Sequence, residues 1–314
     1  MKERRWLLYA FFLGPSLTLI TVFYLVPLVL SIYISFTGMK NWDLSALGSF
    51  IGSYNYDRLL RLILYDPDVY KVVLTTLFFV AATLVVNVLG GLGLALAAFF
   101  MDELSSSFFR TLWLLPRMTP IAVYSLLWYY FFLNSFSGTL NGFLHSLGVI
   151  DKPIGWGTDL SMLPWGAWMI LVYVNGLVGV SYGMIIFYSA LKTIPREQII
   201  AARVDGASTL QVIRYVLIPS LRWHLMFVTV WQLLSLITTY AHIFLLVEWG
   251  AVDRWWGSTW ALFVFTQAFA KDFSDQGLAA AAATVLVGVG IGLGLLTLRL
   301  LGFGKMMHPP RGEI

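Results

Sequence analysis

The stretch EQIIAARVDGASTLQVIRYVLIPS, residues 197–220, alternates charge with apolar residues in a chain that is elsewhere mostly apolar. Between Leu191 and Arg222 stand Lys192, Arg196, Glu197, Arg203, Asp205, Arg214 and Arg222. At about 2.5 to 3.5 kcal/mol for each centrally placed charge, burying them in a bilayer would cost about 15 kcal/mol or more. The segment therefore lies outside the hydrocarbon. Its turn chemistry predicts two short helices. Pro195 suits a first helical turn, residues 196–204 form one helix, and Gly206 fits the left-handed position that ends it. Ser208 with Gln211 three residues on reads as a capping box. The second helix then runs to about Leu217, where Pro219 stops it or starts the next element. Ile199, Ile200, Ala202 and Arg203 cannot all be buried in a lone two-turn helix, so the segment needs a surface to pack on.

The flanks decide the fold class. Of 314 residues 59% are hydrophobic and 11% charged, against roughly 25% charged in a soluble domain. Six apolar blocks reach the length of about 20 residues that a bilayer requires. They run Leu7 to Phe36, Val72 to Phe100, Leu112 to Leu133, Leu163 to Leu191, Leu221 to Val247 and Leu278 to Leu301. The expectation is an all-α polytopic membrane protein with six transmembrane helices, a single domain over 1–314, and a loop at 192–219 between spans four and five. The first block is too long for a secretory signal and has no small-residue cleavage site, so it reads as a retained span. With no cysteine, disulfide and thiolate chemistry are excluded. His145, His224, His242 and His308 stand far apart, in no metal-type spacing, and no nucleic-acid partner is expected.

Six spans put both termini on one side. Thirteen of the 20 basic residues fall on that side and seven on the other, which places both termini and the 192–219 loop in the cytoplasm. Trp and Tyr gather toward block ends, at Trp6 and Tyr9, Trp128 to Tyr130, Trp165 and Trp168, and Trp255, Trp256 and Trp260. An interfacial belt explains them; for the last cluster, stacking on sugars at an outer vestibule is the sharper alternative.

Polar residues inside the blocks are candidates for a solute pathway. Gln232, Ser235, Thr239 and His242 recur at intervals of three, four and three, one face of a continuous helix. Asn87 and Asn175 add amides, which donate and accept to hydroxyls. Neutral groups suit a sugar better than an ion, although interhelical hydrogen bonding would also explain them. An ion-coupled secondary transporter of a small polar solute would more often bury Asp or Glu in its spans, and no block core holds one. Glycines cluster at Gly90, Gly91 and Gly93, at Gly176, Gly179 and Gly183, and at Gly288, Gly290, Gly292 and Gly294, a pattern for close helix packing.

The 197–220 segment resembles the cytoplasmic loop of the permease subunits of binding-protein-dependent ABC importers, whose pattern is E-A-A, three residues, Gly, nine residues, I-x-L-P. It reads here Ile200-Ala201-Ala202, Gly206, then Val216-Leu217-Ile218-Pro219, with both spacings intact. The stretches FLGPSLTLITVFYLVPLVLSIYISFT and FFRTLWLLPRMTPIAVYSLLW look like the first and third spans of maltose-type sugar permeases. The resemblance implies that the loop, through Glu197, Ile200, Ala201, Ala202, Asp205, Gly206 and Pro219, forms the coupling helices that dock in a groove of a separate ATPase. It also implies a second permease subunit, two ATPase subunits that bind ATP and Mg, and an extracytoplasmic binding protein that delivers a sugar or oligosaccharide, all in a lipid membrane. No catalytic role and no cofactor fall to this chain. The stretch GFGK at 302–305 lacks the spacing and the hydroxyl of a phosphate-binding loop. Ile200 stands where the family has a glutamate; Glu197, one turn earlier, can present a carboxylate on a nearby face.

Overall fold

The structure, a computed structural model, describes residues 2–270 and 273–306, with side chains described for residues 11–270 and 273–304. Lys271, His308 and Arg311, and the side chains of Lys2, Arg4, Arg5, Trp6, Tyr9 and Lys305, lie outside that description. The described residues are helical, with two isolated β-bridges. Five helical segments are long and apolar enough to cross a membrane: Phe11–Ile34, Pro67–Phe100, Trp165–Lys192, Arg222–Glu248 and Gln276–Leu300.

Helices α1 (Lys2–Ile20) and α2 (Val26–Ile34) are joined by a π turn, Thr21–Leu25. Pro27 cannot donate, and its ring crowds the carbonyl four residues back. The amide of Val26 instead bonds to Thr21 O, five residues back, and the wider turn makes room for the ring. After α2 come the short amphipathic α3 (Tyr54–Tyr65) and the long α4 (Pro67–Phe100). The 34 residues of α4 span about 51 Å at 1.5 Å per residue.

The third apolar block is not one helix. It divides into α5 (Glu103–Met118) and α6 (Ile121–Phe132), because Pro120 drives the preceding Thr119 to an extended ψ of 132°. Next come α7 (Thr139–Ser146) and α8 (Trp165–Lys192), then the charged segment as α9 (Arg196–Val204), α10 (Thr209–Val212), a π turn at Ile213–Leu217 and α11 (Ile218–Ser220). The fifth block divides too, into α12 (Arg222–Thr238) and α13 (Ala241–Glu248). Thr239 is extended, with ψ 124°. Gln232 and Ser235 therefore sit on α12 while His242 sits on α13, and the expected single polar face does not form. Helices α14 (Trp260–Phe269), α15 (Gln276–Leu300) and α16 (Phe303–Met306) complete the chain. Helix α14, like α3 and α7, lies between the apolar blocks, where they alone predict no helix.

Contacts group the chain in two units, Met1–Tyr70 with Phe263–Gly288, and Lys71–Leu262 with Val289–Ile314. In the second unit, contacts at one end gather the start of α4, the start of α8 and the segment after α13. Trp168 Nε1 donates to Thr75 Oγ1 at 2.8 Å, Thr75 Oγ1 donates to Trp256 O at 3.2 Å, and Gly157 pairs with Val252. The opposite end gathers the start of α5 with the end of α8: Lys192 Nζ donates to Glu103 Oε2 at 3.0 Å and Ser106 Oγ to Tyr188 Oη at 3.3 Å. Trp256 rests on Trp168 and Trp260 is buried, so these two rings are packing elements and not an open stacking platform.

Between these ends α4 and α8 cross at their glycines. A Cβ on Gly91 would meet Gly183 Cα at 2.9 Å, so two backbones touch where only hydrogen fits. Gly93, Gly288 and Gly292 meet nothing, and Gly294 makes only ordinary contact; close packing accounts for Gly90 and Gly91 of α4 and for the α8 glycines, and not for Gly93 or those of α15.

In the loop 133–156 one buried side chain ties the two ends together. Asn141 Nδ2 donates to Leu133 O and Ile154 O, each at 2.9 Å, and its Oδ1 accepts from Ile154 N and Trp156 Nε1, each at 3.1 Å. Every hydrogen-bonding position of the amide is filled. Asn141→Ala leaves buried groups unpaired at about 1 to 3 kcal/mol each. The expected outcome is loss of amide hydrogen-exchange protection across 133–156, with protection of α8 retained.

Candidate functional site

The loop predicted to dock is built as a rigid feature. Helix α9 ends in a Schellman motif: Gly206 N donates to Arg203 O at 3.0 Å and Ala207 N to Ala202 O at 2.9 Å. Gly206 has φ +84°, and a Cβ there would meet nothing, so its requirement is conformational and not steric. Ser208 and Gln211 then close a full capping box. Ahead of Pro219 the amide of Ile218 bonds to Ile213 O, the same π adjustment seen before Pro27.

A buried cluster fastens this segment to the membrane helices. Val212, Leu217 and Leu221 join Leu92, Ala95 and Ala98 of α4 and Phe187 and Leu191 of α8, with Ile199, Ala202 and Ala207 packed against them. The loop thus buries one side and presents the other. On its open side are Glu197, Ala201 and Asp205, with large apolar residues among them: Ile200 60% exposed, Val204 82%, Leu210 73% and Tyr215 67%. A charged segment that leaves four such side chains exposed is a candidate contact surface. The EAA-like pattern pointed to Ile200, Ala201 and Ala202; the structure separates them, with Ala202 packed inward and Ile200 and Ala201 outward. Val204, Leu210 and Tyr215 lie outside the positions marked by the pattern, and only the exposure of the folded loop identifies them.

The intramembrane candidates divide in two. Asn87, Asn175 and Gln232 are buried. Asn87 Nδ2 donates to Gln232 Oε1 at 3.1 Å, and Gln232 Nε2 donates to Gly179 O at 2.9 Å, tying α4, α12 and α8 together. Asn175 hydrogen-bonds His242 across α8 and α13. Ser235 is exposed and Thr239 partly so. Ser235 shares the open face of α12 with Phe227 and Trp231 at steps of four residues, a set that counting polar residues missed. Trp231 stacks on Phe227 at a centroid distance of 6.3 Å and, from α12 to α8, on Tyr182 at 6.2 Å, with interplanar angles of 21° and 19°. The Arg117 guanidinium lies 5.0 Å from the Tyr182 ring centroid. Three near-parallel rings on an uncovered face form a ladder on which flat apolar surfaces can rest.

Comparison with known proteins agrees with this architecture. Residues 88–302 match the family described as binding-protein-dependent transport system inner membrane component. A probable ABC transporter permease protein of Pyrococcus horikoshii is 34% identical over 211 residues, covering 67% of this chain and 68% of that protein. The lactose transport system permease protein LacF of Rhizobium radiobacter is 28% identical over 240 residues, covering 76% and 75%. A crystal structure of the bacterial alginate ABC transporter, in complex with an alginate pentasaccharide-bound periplasmic protein, superposes with a TM-score of 0.76 at 18% identity, covering 95% of this chain and 94% of that one. The family match includes the rigid loop, the α4–α8 crossing and the α12 face, and the chain belongs to the binding-protein-dependent inner-membrane components, as an ABC transporter permease that passes through the cell membrane several times.

Proposed function

We propose that this chain is one permease subunit of an ATP-driven importer that carries a sugar or oligosaccharide, and that the 192–219 loop couples it to a separate ATPase. The observation that carries the reading is the open side of α9 to α11: exposed apolar side chains on a segment fixed by a Schellman motif, a capping box and a buried cluster. In this reading Ile200, Val204, Leu210 and Tyr215 enter the ATPase groove, with Ala201 permitting close approach. Glu197 and Asp205 supply carboxylates at its rim. Ala202, Gly206 and Pro219 fix the loop's shape. ATP and Mg are bound in two ATPase subunits, a second permease closes the solute pathway, and an extracytoplasmic binding protein delivers the solute.

Six spans with both termini in the cytoplasm are part of the proposal. The Trp168–Thr75 bond sets the starts of α4 and α8 at the same end of the second unit. Since α4 crosses once, the chain must return before α8 begins. The broken α5–α6 segment is what lies between them to do so, and it supplies the sixth crossing. The basic-residue count then sets the side.

The solute class rests on the ring ladder Phe227–Trp231–Tyr182 together with Ser235 and Thr239. Pyranose rings present C–H faces that pack on aromatic planes, while hydroxyls exchange hydrogen bonds with hydroxyl side chains. Asn87, Asn175, Gln232 and His242 hold the helices that form this face. The LacF relative and the alginate transporter, each named for a saccharide that it carries, support the class. Trp231→Ala is expected to lower uptake at least about tenfold, the effect of losing about 1.4 kcal/mol, while ATPase subunits still copurify; Trp231→Phe keeps most uptake. Unchanged uptake in Trp231→Ala would remove the ladder from the pathway.

The missing first glutamate gives a second test. If Glu197 stands in for it, Glu197→Ala reduces uptake and ATPase stimulation, and Glu197→Ala combined with Ile200→Glu restores both. A double variant no better than Glu197→Ala contradicts the substitution. Uptake sustained by an ion gradient in vesicles without any ATPase would reject the importer reading altogether.

A further inference from the structure

We infer that α3 is an interfacial helix that beds its Leu60, Leu64 and Tyr65 face into the bilayer surface and sets Arg61 against lipid phosphates. The inference needs only that the chain spans the membrane, and stands apart from solute and ATPase.

Helix α3 is pinned to the ends of three membrane helices, all within the first unit. Near its start, Asn55 Nδ2 donates to Ser35 O at 2.9 Å and Thr37 O at 2.8 Å, where the chain leaves α2. Halfway along, Arg58 forms an ion pair with buried Asp275, whose Oδ1 accepts from Leu278 N at 3.0 Å in the first turn of α15. At its end, Asp66 alone separates α3 from α4, and its Oδ1 accepts from Asp68 N at 2.8 Å. A helix of 12 residues is about 18 Å long. Tied at start, middle and end to places where helices enter the membrane, it lies along the membrane boundary instead of projecting from it.

The face that α3 turns outward fits that position. Asn55 and Leu59 are buried, while Leu60, Leu64 and Tyr65 are exposed, Leu64 by 62% and Tyr65 by 80%. Arg61, also exposed, stands between the leucines on the same face, and exposed Asp57 shares that face one turn nearer the helix start, where it is paired in charge with Arg61 four residues on. The aliphatic stem of Arg61 can lie along apolar surface while its guanidinium reaches a phosphate. Around α3 the same unit exposes Trp42, Phe50, Tyr54, Phe269 and Phe273, with Lys40 over the Phe273 ring at 5.6 Å. Aromatic rings mixed with cations mark the headgroup level of a bilayer, and that environment favours lipid over a protein partner as what covers the helix.

The chain has no cysteine, so single nitroxide labels can be placed without background. Leu64→Cys and, as a water reference in the exposed turn after α7, Asp151→Cys, each labelled in the permease and studied in the assembled transporter in phosphatidylglycerol-containing vesicles, are compared for collision with oxygen, which concentrates in lipid, and with a water-soluble nickel chelate. The expected result is an oxygen-to-nickel ratio severalfold higher at Leu64 than at Asp151. Equal ratios at the two sites would place α3 in water. A label at Leu64 shielded from both reagents would mean that protein covers the face. Either result overturns the inference, and neither bears on transport.

Discussion

Val204→Glu is expected to abolish coupled uptake while leaving the permease folded. Val204 is the last residue of α9 and 82% exposed, so the substitution disturbs little within the chain. If the residue is buried in a partner, full burial of a side chain of this size is worth about 1.5 to 3 kcal/mol. A carboxylate in its place must also be desolvated on docking, at a further cost. Together these weaken ATPase association by at least about tenfold, at 1.4 kcal/mol per decade. Copurification with the ATPase and solute-stimulated ATP hydrolysis should both fall, and the thermal unfolding midpoint of the isolated permease should not move. Normal coupling in Val204→Glu would mean that the exposed side of α9 is not the docking face.

The second large effect is on the fold. Gly91→Val places a branched side chain where a Cβ alone already lies 2.9 Å from Gly183 Cα and 3.1 Å from Met184 N. Backbone cannot yield as a side-chain tip can, so α4 and α8 must separate. Overpacking of this kind costs about 1 to 3 kcal/mol in a core that can adjust, and the crossing also sets the Asn87–Gln232 and Gln232–Gly179 hydrogen bonds. The expected outcome is a lower unfolding midpoint in detergent and loss of assembled complex. Gly93→Val, two residues on in open space, is the control and should assemble normally.

Helix class and the turns of the 192–219 loop were legible in the sequence because both depend on local chemistry. Apolar run length marks a span, and Pro195, Gly206, Ser208 and Gln211 mark caps and turns within a few residues. The bounds of α9, the left-handed Gly206 and the capping box follow from these signals. What the sequence left hidden is set by contacts between distant segments. Pro120 follows the break at Thr119, which the apolar run from Leu112 to Leu133 alone does not show, and no such residue marks the break at Thr239, which divides a polar periodicity that assumes a continuous helix. Gln232 and Ser235 are both polar residues of one helix; only the position of α4 and α8 makes one an interhelical tie and leaves the other open. Tyr182 and Trp231 are 49 positions apart in the sequence, and their stacking exists only once α8 and α12 are packed.

The central claim is that the open face of the 192–219 loop is covered by a separate ATPase. A single cysteine at Val204, in a chain that has none of its own, can be reacted with a membrane-impermeant maleimide in purified permease with and without its ATPase subunits. The account predicts rapid labelling of the permease alone and protection when the ATPase is bound, with labelling beforehand preventing assembly. Equal labelling rates in the two states, with transport intact after modification, would contradict it.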